Sequence, residues 1–373
     1  MKILFTGGGS GGHFYPLIAV AEEVRRIAGE ERLIAPELFF MAPSPYDEHL
    51  LFETGIRFIG VPTGKLRRYF SVQNALDLAK TAFGILRACS IVFRIFPDVV
   101  VGKGGYGSFP ALVAARLFGI PVLIHESDSV PGRVNRFAGK FAKRIALSWA
   151  EAASSFPAER VAHTGNPLRR TVIQGAPLPS RFAGDSGKGI IFVLGGSLGS
   201  VALNEAILKT LPELLSAHSV IHQTGRENLS DVSARSGVLL EHHPFRKRYH
   251  PVGYLEQSEL AGVGQNASLI VSRAGSAIFE IAAWGRPAIL VPITDSNGDH
   301  QRENAYHYAL AGAAQVIEEE NLTPAILRNE IENIMNNESR RSRMSEAARG
   351  FAKTDAASVI AREIISMALK HES

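Results

Sequence analysis

Residues 2–13 read KILFTGGGSGGH, and this stretch decides the fold of the first half of the chain. Residues 2–6 are mostly apolar and predict a buried strand, whereas five of the six residues from 7 to 12 are glycine. A helix is predicted over residues 16–28, where apolar side chains recur on one face. A strand, a glycine turn and a helix in this order are typical of a mostly parallel α/β sheet.

The same pattern begins again at residue 189, with an apolar strand to 194, the glycine stretch GGSLG at 195–199 and a helix over 201–215. We therefore expect two Rossmann-like, doubly wound α/β domains that face a cleft, with ligands at the carboxyl ends of the strands. The proline-marked stretch around 166–187 predicts the linker. The expected domains are 1–165 and 166–350, and the final helix, 356–369, is expected to return to the first domain. Further strands are predicted at 38–41, 98–101, 121–125, 144–147, 219–224, 268–271 and 288–292.

Composition excludes several classes of protein. The 373 residues carry a formal net charge of +4, with no long run of Lys and Arg, so nucleic-acid binding is not expected. The single cysteine, Cys89, cannot form an internal disulfide. No apolar run reaches the roughly 18 residues needed to span a bilayer, which predicts a protein that is soluble or lies on a membrane surface.

The two glycine stretches are candidate phosphate loops, because backbone N–H groups without neighbouring Cβ atoms can approach an anion closely. The first contains Gly7-x-Gly9-x-x-Gly12, which also matches a dinucleotide fingerprint. A dinucleotide enzyme, such as a NAD-dependent oxidoreductase, needs only one such loop. Two loops suit a nucleoside diphosphate held between two domains, although a purely structural turn is the alternative for each.

Several polar residues beside these loops are candidates for chemistry, each with a structural alternative. His13 follows the first loop and is either a general base or a structural histidine. Ser197, in the second loop, can donate a hydrogen bond to a phosphate. Glu280 lies near a predicted helix start, where it either accepts both ribose hydroxyls or complements the helix dipole. The polar stretch 294–301 either binds sugar hydroxyls or is a solvated surface loop.

An apolar stripe in the first half has two interpretations. Residues 65–70, KLRRYF, are basic and aromatic, and apolar residues then recur at helical spacing beside basic ones. Such a helix either lies in the interface of an anionic membrane or packs its apolar side into the core. The apolar residues are Val72, Leu76, Ala79, Phe83 and Leu86, and the basic ones are Lys80, Arg87 and Arg94.

Further motifs occur in a characteristic order along nearly the whole chain. They are Gly8–His13, Gly104-Gly105-Tyr106, His125-Glu126, Gly165-Asn166-Pro167-Leu168-Arg169, Gly195-Gly196-Ser197, Ser272-Arg273-Ala274-Gly275, Glu280 and Asp299-His300-Gln301. Together they resemble the MurG family. Its members are UDP-N-acetylglucosamine:undecaprenyl-pyrophosphoryl-muramyl-pentapeptide N-acetylglucosaminyltransferases with the two-domain GT-B fold.

This resemblance implies an inverting transfer of N-acetylglucosamine from UDP-N-acetylglucosamine to the lipid I acceptor in peptidoglycan synthesis, without a cofactor or a metal. It implies a peripheral location at the cytoplasmic face of the cell membrane, against its anionic surface and with other cell-wall synthesis proteins as possible partners. His13 would be the base, Arg169 and Ser197 would bind UDP, Leu255 would read uracil through its backbone, Glu280 would hold ribose and Gln301 the sugar. The remaining expected donor or acceptor contacts are Ser10, Gly11, Gly12, Asp128 and Ser276.

The chain departs from the family pattern at three places. Asp128 and Leu198 stand where the family often has Asn and Gln, and the span 273–280 is one residue shorter than usual. Two other functions compatible with the nucleotide half remain open. One is a GT-B transferase acting on another lipid, such as diacylglycerol, and the other is a non-catalytic UDP-sugar-binding scaffold.

Overall fold

The computed structural model of the chain describes residues 1–64, 72–184, 187, 189–196, 199–294 and 299–372. The basic aromatic stretch 65–70, Ser197 and Leu198 lie outside the described residues, as do residues 295–298 of the polar stretch 294–301. The chain forms two compact units. The first comprises Met1–Arg169 and Lys353–Ser373, and the second comprises Arg170–Ala352.

The first unit is built on a seven-stranded sheet in which every paired neighbour is parallel. Its strand order is β3-β2-β1-β4-β5-β6-β7, the doubly wound arrangement predicted from the repeated strand–helix pattern. The strands are β1 (Lys2–Thr6), β2 (Glu37–Ala42), β3 (Arg57–Gly60), β4 (Val99–Gly102), β5 (Val122–Glu126), β6 (Arg144–Leu147) and β7 (Val161–His163). β3 and β7 were not predicted, since each is short and only partly apolar.

Helices cover both faces of this sheet. One buried cluster joins the sheet to α1 and α14, and a second joins its other face to α3, α4 and α5. The helices are α1 (Gly11–Glu30), α2 (Glu48–Glu53), α3 (Val72–Ile95), α4 (Phe109–Leu117), α5 (Arg133–Gly139) and, in the returning segment, α14 (Ala356–Glu372). Within the described part of the chain, no helix is both long enough and apolar enough to cross a membrane.

The first helix begins five residues earlier than predicted. The sequence places its start at Pro16, because proline favours a first turn, but α1 begins at Gly11 and contains Pro16 in its interior. The N–H groups of His13 and Phe14 already donate to the carbonyl of Ser10. His13 therefore lies in the first turn of α1 and not in the preceding loop, so that the helix itself sets its position.

The second unit repeats the architecture with six parallel strands in the order β10-β9-β8-β11-β12-β13. The strands are β8 (Ile190–Leu194), β9 (Ser219–Gln223), β10 (Tyr249–Val252), β11 (Leu269–Ser272), β12 (Ala288–Leu290) and β13 (Ala314–Val316). The helices are α6 (Arg170–Ile173), α7 (Val201–Ala217), α8 (Leu229–Leu239), α9 (Gln257–Asn266), α10 (Ala277–Trp284), α11 (His300–Leu310), α12 (Pro324–Met335) and α13 (Glu338–Phe351). One fully buried cluster packs α7 and α12 on this sheet.

Both sheets reverse their strand order at one point, between β1 and β4 in the first unit and between β8 and β11 in the second. Connections leave in opposite directions there, which opens a crevice at the carboxyl ends of the strands. The first glycine loop (residues 7–12) follows β1, and the second glycine loop (residues 195–199) follows β8. Each predicted phosphate loop therefore lies at the ligand-binding edge of its own sheet.

Candidate active site

The first glycine loop meets a second turn at the edge of the sheet, residues 104–106, which we call the Gly104 turn. Gly104 and Gly105 both have positive φ angles, 76° and 74°. A Cβ atom on Gly105 would lie 2.7 Å from the Cα of Gly8 and 3.4 Å from Nε2 of His13. The backbones of the two turns are thus in direct contact, and this contact requires glycine at position 105.

Ser10 and His13 form a hydrogen-bonded pair at the start of α1, with 2.7 Å between Ser10 Oγ and His13 Nδ1. The serine orients the imidazole ring whichever of the two atoms carries the hydrogen. In the tautomer that donates from Nδ1, Nε2 is the basic nitrogen, on the side of the ring next to Gly105. This is the arrangement expected of an oriented general base. Gly11 and Gly12, the other predicted contacts in this loop, form the first turn of α1.

Glu126, at the end of β5, organises the loop that carries Asp128. Its carboxylate accepts hydrogen bonds from the backbone N–H groups of Asp128 and Gly132, both at 3.0 Å, and from the Asn135 side chain at 2.9 Å. Burial and the neighbouring Asp128 raise the pKa of Glu126, although the three hydrogen bonds oppose this shift. The position of Asp128 is therefore set by Glu126 through its main chain.

Beside this loop lies Lys103, which directly follows β4 and is only 2% exposed. Its Nζ atom lies 2.7 Å from Nδ1 of His125 and 3.4 Å from Oδ1 of Asn166. Burial lowers the pKa of Lys103 to about 8, while the carboxylates of Glu126 and Asp128 oppose the shift. A buried amine at the edge of the sheet, next to the Gly104 turn, was not predicted.

Arg169, predicted to bind UDP, belongs to the first unit and forms an ion pair there. Its guanidinium contacts Glu22 of α1, at 2.7 Å from Nη2 and 2.9 Å from Nε to the same carboxylate oxygen. The arginine is therefore held on the helix that carries His13. Its predicted contact with UDP stays a prediction.

In the second unit, the side chain of Gln223 joins the second glycine loop to the segment predicted to read uracil. Its amide nitrogen donates to the carbonyl of Gly196, and its amide oxygen accepts from the N–H of Leu255, both at 3.1 Å. Arg226 stacks on the ring of Tyr254 with 4.6 Å between the guanidinium carbon and the ring centroid. Because the N–H of Leu255 is already engaged, a uracil contact at this residue would have to use its carbonyl or displace Gln223.

Glu280 is the fourth residue of α10, and Ser276 immediately precedes that helix. Although the residue is only half-buried, its carboxyl group is surrounded by protein, and this burial raises its pKa to about 7. No hydrogen bond or ion pair to Glu280 occurs among the residues that the structure describes. A desolvated carboxylate of this kind is suited to accept hydrogen bonds from ligand hydroxyls.

The predicted sugar-binding residue Gln301 lies in the first turn of α11, and its side-chain oxygen accepts from the N–H of Ile293 at 3.3 Å. Arg273, next to β11, supports the same region. It forms a 2.6 Å ion pair with Glu319, whose other oxygen accepts from the N–H of Thr294 at 3.3 Å. Gln301 directly, and Arg273 through Glu319, thus hold the main chain at residues 293 and 294.

The sequence analysis missed three site-lining side chains: Lys103, Asn135 and Gln223. A signal for Lys103 did exist, since it is a cation between two glycines just after the apolar run 99–101. The signal for Gln223 was weaker, since β9 already contains a serine and a histidine. Asn135 gave none, because its bond to Glu126 joins a helix to the end of a strand nine residues away.

Comparison with known proteins agrees with this geometry. Residues 3–147 match the glycosyltransferase family 28 N-terminal domain, and residues 190–360 match the glycosyltransferase family 28 C-terminal domain. The chain is 37% identical to a protein of Treponema denticola, with 96% of each chain covered, and 35% identical to one of Geobacter sulfurreducens, with 100% of each covered. Both are named UDP-N-acetylglucosamine–N-acetylmuramyl-(pentapeptide) pyrophosphoryl-undecaprenol N-acetylglucosamine transferase.

A solved structure shows the same architecture. The MurG of Acinetobacter baumannii superposes with a TM-score of 0.73 at 26% identity, covering 98% of this chain and 99% of that one. The family match, the full-length relatives and the shared two-domain GT-B fold agree with one another. The chain belongs to the MurG family of N-acetylglucosaminyltransferases, within glycosyltransferase family 28.

Proposed function

We propose that this protein transfers N-acetylglucosamine from UDP-N-acetylglucosamine to undecaprenyl-pyrophosphoryl-N-acetylmuramyl-pentapeptide, converting lipid I to lipid II. The observation that carries the proposal is the full-length similarity to relatives named for this activity, at 35–37% identity. Phosphate-type glycine loops at the reversal points of both sheets support it, because the reaction brings together two diphosphate-containing substrates.

The donor is assigned to the second unit. The second glycine loop would hold the diphosphate, with Ser197 as a further donor, and Glu280 would accept the ribose hydroxyls. The lack of a partner for Glu280 within the described residues supports this role, since the ligand would supply the missing hydrogen bonds. Leu255, Ser276 and Gln301 would contact the uracil, the ribose-phosphate portion and the sugar.

The acceptor is assigned to the first unit, residues 1–165 with the returning helix α14. The acceptor hydroxyl would attack the anomeric carbon as the bond from that carbon to UDP breaks, and the configuration would invert. His13, oriented by Ser10 at 2.7 Å, would take the hydroxyl proton, while Gly11, Gly12 and Asp128 would line the acceptor site. Hydrogen bonds from glycine-loop N–H groups, with the positive Arg169, would stabilise the departing UDP anion.

The membrane surface is assigned to the exposed side of α3. Leu76, Phe83 and Leu86 are 68%, 60% and 70% exposed, so the core-packing interpretation of this stripe does not hold. Lys80, Arg87 and Arg94 are exposed along the same helix. An apolar stripe flanked by cations fits the interface of an anionic membrane, where a lipid-linked acceptor resides.

Transfer of radiolabelled N-acetylglucosamine tests the proposal directly. With lipid I as acceptor we expect product, and with diacylglycerol we expect none. His13→Ala should reduce the rate by about 10² to 10⁴, the usual contribution of a general base, with little change in donor affinity. Product with diacylglycerol alone would establish a different lipid acceptor, and binding of UDP-N-acetylglucosamine without any transfer would establish a scaffold.

A further inference from the structure

Lys103 is the most deeply buried cation of the first unit's ligand-binding edge, and the reaction proposed above assigns it no role. A buried amine is costly unless its hydrogen bonds are made and its charge is balanced. The surroundings of Lys103 supply two hydrogen-bond acceptors and opposite charge nearby. It lies within hydrogen-bonding distance of His125 and Asn166, and the carboxylates of Glu126 and Asp128 favour its charged form.

The tautomer of His125 follows from its other neighbours. Nε2 of His125 lies 3.2 Å from two oxygen atoms, the carbonyl of Gly165, which can only accept a hydrogen bond, and the hydroxyl of Ser148, which can accept or donate. A hydrogen on Nε2 satisfies the carbonyl of Gly165, and the Ser148 hydroxyl can accept from the same N–H group. Burial and the positive Lys103 hold the pKa of His125 well below its usual value, so the ring is neutral and Nδ1 is an acceptor. Lys103 is consequently the donor in the 2.7 Å bond to Nδ1.

These bonds join three separate parts of the edge. Lys103 follows β4, His125 is the second-last residue of β5, and Gly165 and Asn166 follow β7, shortly before the chain leaves the first unit. Gly165 has a φ of 85°, and a Cβ atom there would lie 2.5 Å from Cβ of Lys353, where the chain re-enters the unit. The network therefore fixes the carboxyl end of β4 relative to the segment where the chain leaves the first unit and the segment where it re-enters that unit.

The carboxyl end of β4 leads directly into the Gly104 turn. Gly105 contacts Gly8 and lies beside Nε2 of His13, while Gly104 lies against the side chain of Asn135. A shift of Lys103 would also move this turn, because Lys103 is bonded directly to Gly104. The turn has no room to absorb the shift, since Gly105 already contacts the backbone of Gly8 and Gly104 already contacts the side chain of Asn135. Displacing a base by about 1 Å can reduce a rate by about 10²-fold.

We propose that Lys103 is a positioning residue for the acceptor half of the active site: by donating to Nδ1 of His125 it holds the Gly104 turn against His13. The role is confined to the first unit and leaves the donor contacts of the second unit untouched. The kinetic test of this role rests on the proposed transfer reaction, whereas the spectroscopic test does not.

The kinetic test compares Lys103→Met, which keeps the length of the side chain but removes its donors, with Lys140→Met, an exposed lysine of the same unit. We expect Lys103→Met to lower kcat/KM for lipid I by about 100-fold and to leave the Kd of UDP-N-acetylglucosamine within about twofold of wild type. Lys140→Met should change neither. Retention of transfer within about threefold, or an equal loss of donor binding, would overturn the proposal.

A third variant separates positioning from charge balance. Lys103→Met combined with Asp128→Asn removes one positive and one negative charge together. If the lysine acts through His125, the double variant is at least as slow as Lys103→Met, since Asp128 is itself assigned to the acceptor site. Recovery of wild-type kcat/KM would show that Lys103 serves only as a counter-charge, and the proposal would fail.

The spectroscopic test uses wild-type protein and is independent of catalysis. In ¹⁵N-labelled protein, the His125 ring should show a protonated Nε2 and an unprotonated, hydrogen-bonded Nδ1 at pH 7. Protonation at Nδ1 would overturn the proposal even if transfer is observed. If wild-type protein shows this tautomer but no transfer, the assignment of Lys103 as donor holds and the proposed reaction is what fails.

Discussion

At the scale of single residues, the site combines groups that are already held in place with one that has no partner among the described residues. Ser10 orients His13, Glu22 holds Arg169 and Gln223 holds Leu255. Glu280, by contrast, has a desolvated carboxyl group that makes no hydrogen bond or ion pair within the described part of the chain. Its protonation should therefore couple donor binding to pH.

We predict that the affinity for UDP-N-acetylglucosamine rises with pH up to about 7 and then levels off. The pKa of Glu280 is about 7, and ribose hydroxyls donate to the ionised carboxylate, so below pH 7 binding must first release a proton. Titration calorimetry between pH 5.5 and pH 8 should show a loss of about tenfold in affinity per pH unit well below the pKa.

Glu280→Gln is the control for this prediction. The variant should bind the donor about 10 to 100 times more weakly at pH 8, because a charged hydrogen bond contributes about 1.5–3 kcal/mol. Its affinity should no longer depend on pH in this range. A pH dependence equal to that of wild type would assign the titration to another group.

The same carboxyl group should affect stability. Its pKa is raised from the ordinary 4.5 to about 7 in the folded state, so the folded protein binds more protons than the unfolded chain between these pH values. This contribution to stability is complete below pH 4.5 and is lost as pH rises through 7. Urea unfolding should show that Glu280→Gln is more stable than wild type at pH 8, with a smaller difference at pH 5.

Gly105→Ala tests the contact between the two turns of the first unit. Its Cβ would lie 2.7 Å from the Cα of Gly8, so the first glycine loop must shift, and transfer should fall by at least about tenfold while donor affinity is kept. Gly119→Ala is the matched control. Gly119 has a similar φ of 68° but no atom within 4 Å of the added Cβ, so it should cost only the backbone strain of about 1–2 kcal/mol and leave turnover unchanged.

At the scale of elements, α3 and α14 show how helices with similar periodicity have opposite roles. Gly84, Ala88 and Val92 form the narrow buried side of α3, and position 84 requires glycine because a Cβ atom there would clash with the carbonyl of Pro62. Its large apolar side chains point to solvent instead. In α14 the large apolar side chains are buried against α1. Periodicity identifies an apolar face, but the neighbouring elements determine whether that face is covered.

We predict that Phe83→Ser combined with Leu86→Ser weakens binding to vesicles containing phosphatidylglycerol by roughly 100-fold. Each side chain contributes about 1.5 kcal/mol or more when it is transferred from water to an apolar environment. Vesicle co-sedimentation measures the change. Leu310→Ser, which alters an 83% exposed leucine of the second unit, should leave binding unchanged. If the double variant binds the vesicles as strongly as wild type, α3 does not form the membrane-binding surface.

We predict that Ile364→Ala destabilises the first unit by about 2–5 kcal/mol, because this side chain of α14 is fully buried in the cluster with α1. Val359→Ala, on the same helix but 43% exposed, should change stability by less than about 0.5 kcal/mol. Urea unfolding monitored by circular dichroism compares the two. A similar small effect of both substitutions would show that α14 contributes little to the folded first unit.

At the scale of the whole molecule, the two units share one strand order, to which the first unit adds a seventh strand. The expected fold class is confirmed: each unit is a doubly wound parallel sheet, and the chain has the GT-B fold of its family. The alternation of strands and helices and the glycine turns predicted the two doubly wound sheets, since few architectures accommodate them, whereas the GT-B fold was implied by the resemblance to the MurG family. Short edge strands such as β3, β7 and β13 were missed, because their apolar runs are too short to show a period.

Individual site residues were predicted less evenly. His13 and Glu280 could be identified because each lies after a turn of glycine or other small residues that follows a strand. Their roles stay predictions. Lys103 and Gln223 could not be assigned a role, because their partners lie 22 to 63 and 27 to 32 residues away in the chain. No local pattern records contacts at such separations.

The sequence by itself determined the two sheets, the glycine loops at their ends and the family, because alternating apolar runs and glycine turns are local properties of the chain. Only the tertiary structure decided which of these features meet. It placed the Gly104 turn against His13, buried Lys103 among His125, Glu126 and Asp128, and left the large apolar side chains of α3 exposed. The physical reason is that burial, desolvation and close contact depend on neighbours supplied by distant segments, and these neighbours exist only once the sheets have assembled.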